Sequence, residues 1–330
     1  MFTALDVLFT FFKILVSCLV NPKKLPQRSW RGEFIFRLAK SFLSRSIGKD
    51  FKWIRARQNL LTLYSPDLLK VKSERIDIAG VSCITLQAKN NPSSNKVIVY
   101  FHGGGYAVGS AAGYKLTGAK LALACQAKVV LVDYRLAPDF ALPAAQEDCF
   151  TVTQSLISQE PNRKIILMGD SAGGTLCLST MKRLKDASTD QQDIPTKIAA
   201  CVLISPWVAP LSYKNLSLEN ESSDMLDRHI TQYWVDTVYL SEALKYDIDY
   251  SNLETLDLSK ENWPKIYIQA AGAEVFLSQV QKFSTQLTTL GVEHCFDVFS
   301  DQFHVFQTFA PLVPEAQKAL NDIAQFVRSL

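Results

Sequence analysis

Short apolar, β-branched runs alternate with amphipathic stretches along most of the chain, and this alternation restricts the fold more than any other feature. The runs are KVIVYF (96–101), KVVLVDY (128–134), KIILMG (164–169), IAACVLIS (198–205) and KIYIQA (265–270), with helical patterns near 115–126, 143–158, 172–184 and 278–290. Nearly continuous apolar strands separated by helices require a mostly parallel sheet covered on both faces, which is the α/β class. At 330 residues, one large domain with insertions can bury such a core. The rhythm begins near residue 83 and breaks over 206–262, a segment rich in Asn, Ser, Asp, Tyr and Leu with a helical stretch at HITQYWVDTVYL. An excursion of that length between two strands builds part of a cap over the C-terminal edge of the sheet, where open α/β sheets bind ligands.

Within the third run's exit lies GDSAGG (169–174), followed by the helix-compatible TLCLST. Small residues two places before and after Ser171 suit a very sharp strand-to-helix turn, because a Cβ on either side would meet neighbouring backbone. A serine in that place is either a helix cap or an exposed nucleophile, and its position at the end of a strand favours the nucleophile. A serine hydroxyl then needs a base, usually a histidine, oriented by a carboxylate.

Only four histidines are available: His102, His229, His294 and His304. His102 belongs to a glycine motif, His229 to the irregular excursion and His294 to the alternating, strand-like VEHCFDVF. His304, in the loop SDQFHVF before the C-terminal helical pattern, remains as the candidate base. Its carboxylate partner should follow the preceding strand. Glu274 is the first carboxylate after KIYIQA, while Asp297 and Asp301 lie nearer the histidine in sequence and compete for the role. With Glu274 the chain order is Ser171, Glu274, His304, that of α/β-hydrolases.

An attacked carbonyl also needs donors for its developing oxyanion. HGGGYAVGS (102–110) directly follows the strand KVIVYF, and two of the Gly103, Gly104 and Gly105 amides, with the amide of Ala172, would supply three donors. That arrangement suits acyl transfer, and the sequence has no G-x-x-x-x-G-K-[ST] phosphate loop. The seven cysteines (Cys18, Cys83, Cys125, Cys149, Cys177, Cys201, Cys295) are scattered without a C-x-x-C pair. They read as buried thiols in a reducing, cytoplasmic setting and not as a zinc or disulfide framework.

The N-terminal part carries a different signal. Residues 1–20 place Thr3, Asp6, Thr10, Lys13 and Ser17 at alternating steps of three and four, one polar stripe on an otherwise apolar helix. A signal peptide would put basic residues ahead of the apolar run, and a bilayer span would bury Asp6 and Lys13. Two readings remain: a lid over an apolar cleft of the same protein, which is preferred, or a helix lying in a membrane interface. Residues 22–57 add eleven Lys or Arg against Glu33 and Asp50. A solvated helical face accounts for them without nucleic acid, and peripheral contact of residues 1–57 with an anionic membrane is the other expectation.

HGGGYAVGS, DYRLAPDFALPAAQED (133–148), GDSAGG, SPWV (205–208), GAEVFL (272–277) and FHVF (303–306) together resemble, in order and spacing, the hormone-sensitive-lipase-like α/β-hydrolase esterases, the bacterial family IV group, across about residues 80–330. The resemblance implies an α/β-hydrolase fold with a mostly parallel sheet flanked by helices. A helical cap would be drawn from residues 1–75 and the insertion at about 206–262, over a catalytic domain of 76–330. It further implies a serine carboxylesterase that needs no cofactor or metal and acts on small to medium acyl esters, with Asp133 and Arg135 as structural charges near the oxyanion loop. Many relatives carry aspartate where this chain has Glu274. Amide, lactone or acetyl-xenobiotic hydrolysis on the same residues is an alternative. So is a non-catalytic small-molecule receptor, although such receptors lose the histidine that this chain retains. Oligomeric state is left open, a dimer among the options.

Overall fold

The computed structural model describes residues 4–20, 25–60, 65–90, 94–187, 197–212, 216–239 and 263–330. Four helices open the chain, α1 (Ala4–Val20), α2 (Trp30–Ser46), α3 (Phe51–Leu60) and α4 (Asp67–Lys70). The strands are β1 (Val71–Ile78), β2 (Val81–Ala88), β3 (Lys96–Phe101), β4 (Lys128–Val132), β5 (Lys164–Asp170), β6 (Ile198–Ile204), β7 (Lys265–Ala271) and β8 (His294–Phe299). The helices between and after them are α5 (Lys115–Cys125), α6 (Pro143–Gln159), α7 (Ala172–Ala187), α8 (Arg228–Trp234), α9 (Leu277–Thr289) and α10 (Pro314–Ser329).

All strands join one sheet in the order β1-β2-β4-β3-β5-β6-β7-β8. The strands from β3 onward pair in parallel, and β2 runs antiparallel to both β1 and β4. Each central strand is apolar on both sides. Val97, Val99 and Phe101 of β3 enter the layer containing α6, α7 and α9, whereas Ile98 and Tyr100 enter the layer containing α5, α10 and part of α2. This two-residue alternation between two cores is why the sequence runs looked uniformly apolar. Because β3 lies between β4 and β5, the chain leaves β3 toward one side of the sheet and later fills the other. The loops after β3 and β5 therefore meet at a topological switch point.

The five expected apolar strands and four helices are present, and VEHCFDVF forms β8. The β1–β2 hairpin was not anticipated, and the expected boundary at residue 75 falls inside β1. Ile78 pairs with Val81 across Ala79 and Gly80, both at positive φ (53° and 87°), the requirement of a two-residue type I′ turn. In the excursion after β6, Asp227 caps α8 by accepting from the Ile230 amide at 2.9 Å, and a π turn (Val235–Tyr239) continues it. Residues 213–215 and 240–262 of the expected cap insertion lie outside the described residues.

The N-terminal helices tie this excursion to the sheet. Arg28, fully buried, donates to the carbonyls of Asp301 and Ser223, each at 2.7 Å. Lys40 donates to the carbonyls of Asp224 (2.8 Å) and Glu221. Arg55 reaches the carbonyls of Ala107 (2.7 Å) and Ala137 (2.6 Å). Three of the eleven bases, Arg28, Lys40 and Arg55, thus serve internal carbonyls.

Candidate active site

Ser171 sits between β5 and α7 with φ of 52°, a left-handed conformation costly for a residue with a side chain. The two flanking glycines make it attainable. A Cβ on Gly173 would collide with the carbonyl oxygen of Phe101, and one on Gly169 with the backbone of Gly173. The sharp turn holds Ser171 Oγ at the wall of a cavity.

His304 Nε2 lies 2.9 Å from Ser171 Oγ, and His304 Nδ1 lies 2.8 Å from Glu274 Oε2. The structure thus brings together the three residues singled out in the sequence. The competing carboxylates are engaged elsewhere: Asp297 accepts from the Tyr267 hydroxyl at 2.6 Å, and Asp301 from the Gln27 amide at 2.7 Å. Glu274 is completely buried, and its second oxygen, Oε1, accepts from the Ala271 amide at 3.1 Å. That bond folds the glutamate back toward β7 and takes up its extra methylene. Burial pushes the His304 imidazole down, but the hydrogen bond and charge of Glu274, aided by the charges of Asp224 and Asp170, outweigh it and hold the ring above its ordinary pKa. Phe276 meets the imidazole edge-on at 5.0 Å and stacks on Trp207 at 5.5 Å, so the ring plane is fixed by packing as well.

Among the glycines of the loop after β3, Gly103 departs from expectation as a candidate oxyanion donor. Its amide donates to Asp170 Oδ1 at 3.0 Å and is not free for a ligand. The amides of Gly104, Gly105 and Ala172 meet no protein acceptor among the described residues, and Gly104 and Gly105 line the cavity with Ser171. Asp170 also accepts from the hydroxyls of Tyr100 (2.7 Å) and Tyr114 (2.9 Å). Burial raises its pKa, against these bonds, which favour the carboxylate. The residue before the nucleophile therefore locks the glycine loop to the elbow, a task that GDSAGG signals only once the loop's location is known. His102 stacks on Tyr134 at 4.2 Å and contacts the Gly103 carbonyl at 2.8 Å, and burial lowers its pKa to about 4. His294 contacts Ser284 and the Val292 carbonyl, and His229 is exposed.

Asp224 escaped sequence reasoning altogether. It is fully buried, and its Oδ1 accepts from the amides of His304 and Met225, each at 2.8 Å, while Oδ2 accepts from the Val275 amide at 2.9 Å. One carboxylate thereby joins the excursion, the histidine loop and the turn that carries Glu274. Burial, reinforced by the nearby Glu274 charge, pushes its pKa up to about 6. Asp133 and Arg135, expected as structural charges, bond different partners. Arg135 binds both oxygens of Asp148, and Asp133 accepts from the Ala111 amide at 2.9 Å, where it anchors the end of the glycine loop.

The cavity measures about 190 Å³ and is walled mainly by apolar groups, among them Leu43 of α2, Ile230 and Trp234 of α8, Trp207, Phe276 and Phe309. No described side chain of α1 lines it. Among the described residues there is no cluster of His, Cys, Asp and Glu fit for a metal.

A nucleophile elbow, a histidine loop after the last strand and a buried acid after the one before it, on this strand order, define an α/β-hydrolase. The chain belongs to the α/β hydrolase fold family, which it matches over residues 98–308, and within it to the hormone-sensitive-lipase-like, family IV esterases. It is 29% identical over 265 residues to an esterase of Acinetobacter venetianus, covering 79% of this chain and 83% of that one. It is 30% identical over 239 residues to the carboxylesterase/phospholipase LipF of Mycobacterium tuberculosis, covering 71% of this chain and 62% of the relative. The crystal structure of an esterase from the bacterial hormone-sensitive lipase family aligns over 92% of this chain and 98% of that one, with a TM-score of 0.78 at 25% identity. The chain is accordingly a carboxylesterase- or lipase-like ester hydrolase.

Proposed function

We propose that the chain hydrolyses small to medium acyl esters through an acyl-enzyme on Ser171, without a cofactor. The observation that carries this reading is the relay of Ser171, His304 and Glu274 beside three unengaged amides. Ser171 Oγ attacks the ester carbonyl carbon as its proton passes to His304 Nε2. The Nδ1–H donates to Glu274 Oε2, which holds the tautomer and stabilises the imidazolium. The carbonyl oxygen becomes an oxyanion facing the amides of Gly104, Gly105 and Ala172. On collapse the alkoxide takes the Nε2 proton and leaves as the alcohol. Water then attacks the acyl carbon as it loses a proton to Nε2, and on collapse that proton passes to Ser171 Oγ as the acid leaves, which restores the neutral imidazole and the serine hydroxyl.

A cavity of about 190 Å³ is smaller than the roughly 300–1,000 Å³ of sites for drug-sized ligands, which favours short acyl chains. The free state of all seven cysteines, six of them buried, supports action in a reducing compartment such as the cytoplasm. A series of p-nitrophenyl esters of increasing chain length tests the reading. Hydrolysis should peak at short acyl groups and vanish in Ser171→Ala, and substantial turnover by that variant would refute it.

A further inference from the structure

Two hydroxyls of the polar stripe on α1, Thr10 and Ser17, face inward. Thr10 Oγ1 accepts from Arg45 at 2.7 Å and Ser17 Oγ from Arg37 at 2.8 Å, both on α2, and Ile14 and Cys18 are buried on the same side. These positions are spaced by three and four, one helical face. The opposite face carries Phe9, Phe12, Val16, Leu19 and Val20, each more than half exposed, with Lys13 exposed at its border. An aromatic ledge extends it: Phe11 meets Phe34 edge-on at 5.1 Å, and Phe34 stacks on the half-exposed Trp30 at 5.9 Å. The exposed Arg31 stands beside Trp30, and the sequence between the helices supplies Lys23 and Lys24.

We propose that this face docks the protein on the surface of a bilayer containing anionic lipids. An apolar face of this extent needs a cover, and three facts on the helix select the cover. Phenylalanine and tryptophan beside basic residues are the composition of helices that lie in the headgroup region. At 17 residues, α1 is about 26 Å long by the usual rise, short of the roughly 30 Å hydrocarbon core, and no described helix is long and apolar enough to cross a membrane. One face of α1 is already held against α2 through Arg37 and Arg45, so only the opposite face is left to meet a surface, with the helix axis along it. A second copy of the same face would set two patches of like charge against each other, whereas anionic headgroups complement Lys13 and Arg31. Because α1 packs on α2, and Leu43 of α2 walls the cavity, docking also sets the acyl cavity one helix away from the lipid.

Vesicle flotation of the full chain tests this independently of catalysis. Phosphatidylcholine vesicles with phosphatidylglycerol should carry the wild type up the gradient, and phosphatidylcholine alone far less. Raising salt from about 0.1 to 1 M, which shortens the Debye length from about 10 to about 3 Å, should weaken the binding. The variant F12E/L19E should lose at least tenfold in vesicle affinity, and K13E/R31E about fivefold or more per charge. Hydrolysis of a soluble p-nitrophenyl ester, which reports folding, should stay unchanged in both. Absence of flotation, or flotation indifferent to F12E/L19E, would overturn the proposal. So would a dimer in light scattering that F12E/L19E dissociates while wild type ignores vesicles, since a second copy would then be the cover.

Discussion

Replacing Glu274 by glutamine changes one oxygen into an amide nitrogen and leaves the volume intact. In the wild type, Oε1 accepts from the Ala271 amide while Oε2 faces His304 Nδ1. To keep the Ala271 bond, the glutamine must point its amide oxygen at Ala271 and its NH₂ at Nδ1. Nδ1 then becomes an acceptor and the ring proton moves to Nε2, the atom that should receive the Ser171 proton. The opposite flip restores the tautomer but leaves a buried N–H of Ala271 facing an NH₂, at a cost of about 1–3 kcal/mol. Either way the productive state is a minority. By analogy with carboxylate loss in serine triads, kcat should fall by about 10² to 10⁴, with KM for a small ester little changed. The pH profile adds a second readout. The base works only when neutral, so kcat/KM falls as pH drops through the His304 pKa, which Glu274 holds above the ordinary histidine value. Removing the Glu274 charge should move that acidic limb to lower pH. Steady-state kinetics on a short p-nitrophenyl ester across pH measures both effects. A kcat within a few-fold of wild type, or a larger loss in Asp297→Asn or Asp301→Asn, would refute the assignment of Glu274.

Asp224→Asn opposes an NH₂ to one of the three amides that the carboxylate serves. It should destabilise the fold by about 1–3 kcal/mol in urea unfolding and lower kcat more than KM, because Asp224 holds the backbones of His304 and Val275 without lining the cavity. An unchanged kcat would show that the histidine loop holds its position without it. Leu43→Ala enlarges the cavity from the α2 side and should raise kcat/KM for hexanoyl relative to butyryl esters several-fold, at about 0.8 kcal/mol for each further CH₂ accommodated. An unmoved ratio would remove α2 from the acyl wall.

The parts of the fold that the sequence reveals are those with a strong local period. The central strands are apolar on both faces, and the helices flanking them repeat at helical spacing, so both stood out. β1 did not, because it is an edge strand whose middle, KSERID, is largely exposed and carries no inward-facing apolar series. Ser171 and His304 were legible because elbow chemistry and a small histidine inventory restrict them. The choice of Glu274 over Asp297 and Asp301 needed three-dimensional contacts. Gly103 could not be told from its two neighbours, since its diversion to Asp170 depends on where β5 ends. Asp224 is one acid among several in ENESSDMLD, and its partners lie at separations of 51 and 80 residues. The stripe on α1 was visible, but the inward direction of Thr10 and Ser17 was not: hydroxyls spaced along a helix give no sign that arginines of another helix will meet them.

The most direct test of the central claim is covalent capture. Incubation with a fluorophosphonate should stop ester hydrolysis at one equivalent bound, with the mass increase confined to the peptide carrying Ser171 and absent in Ser171→Ala. Complete inactivation with label on any other residue, or full activity after Ser171 is labelled, would contradict an acyl-enzyme on this serine.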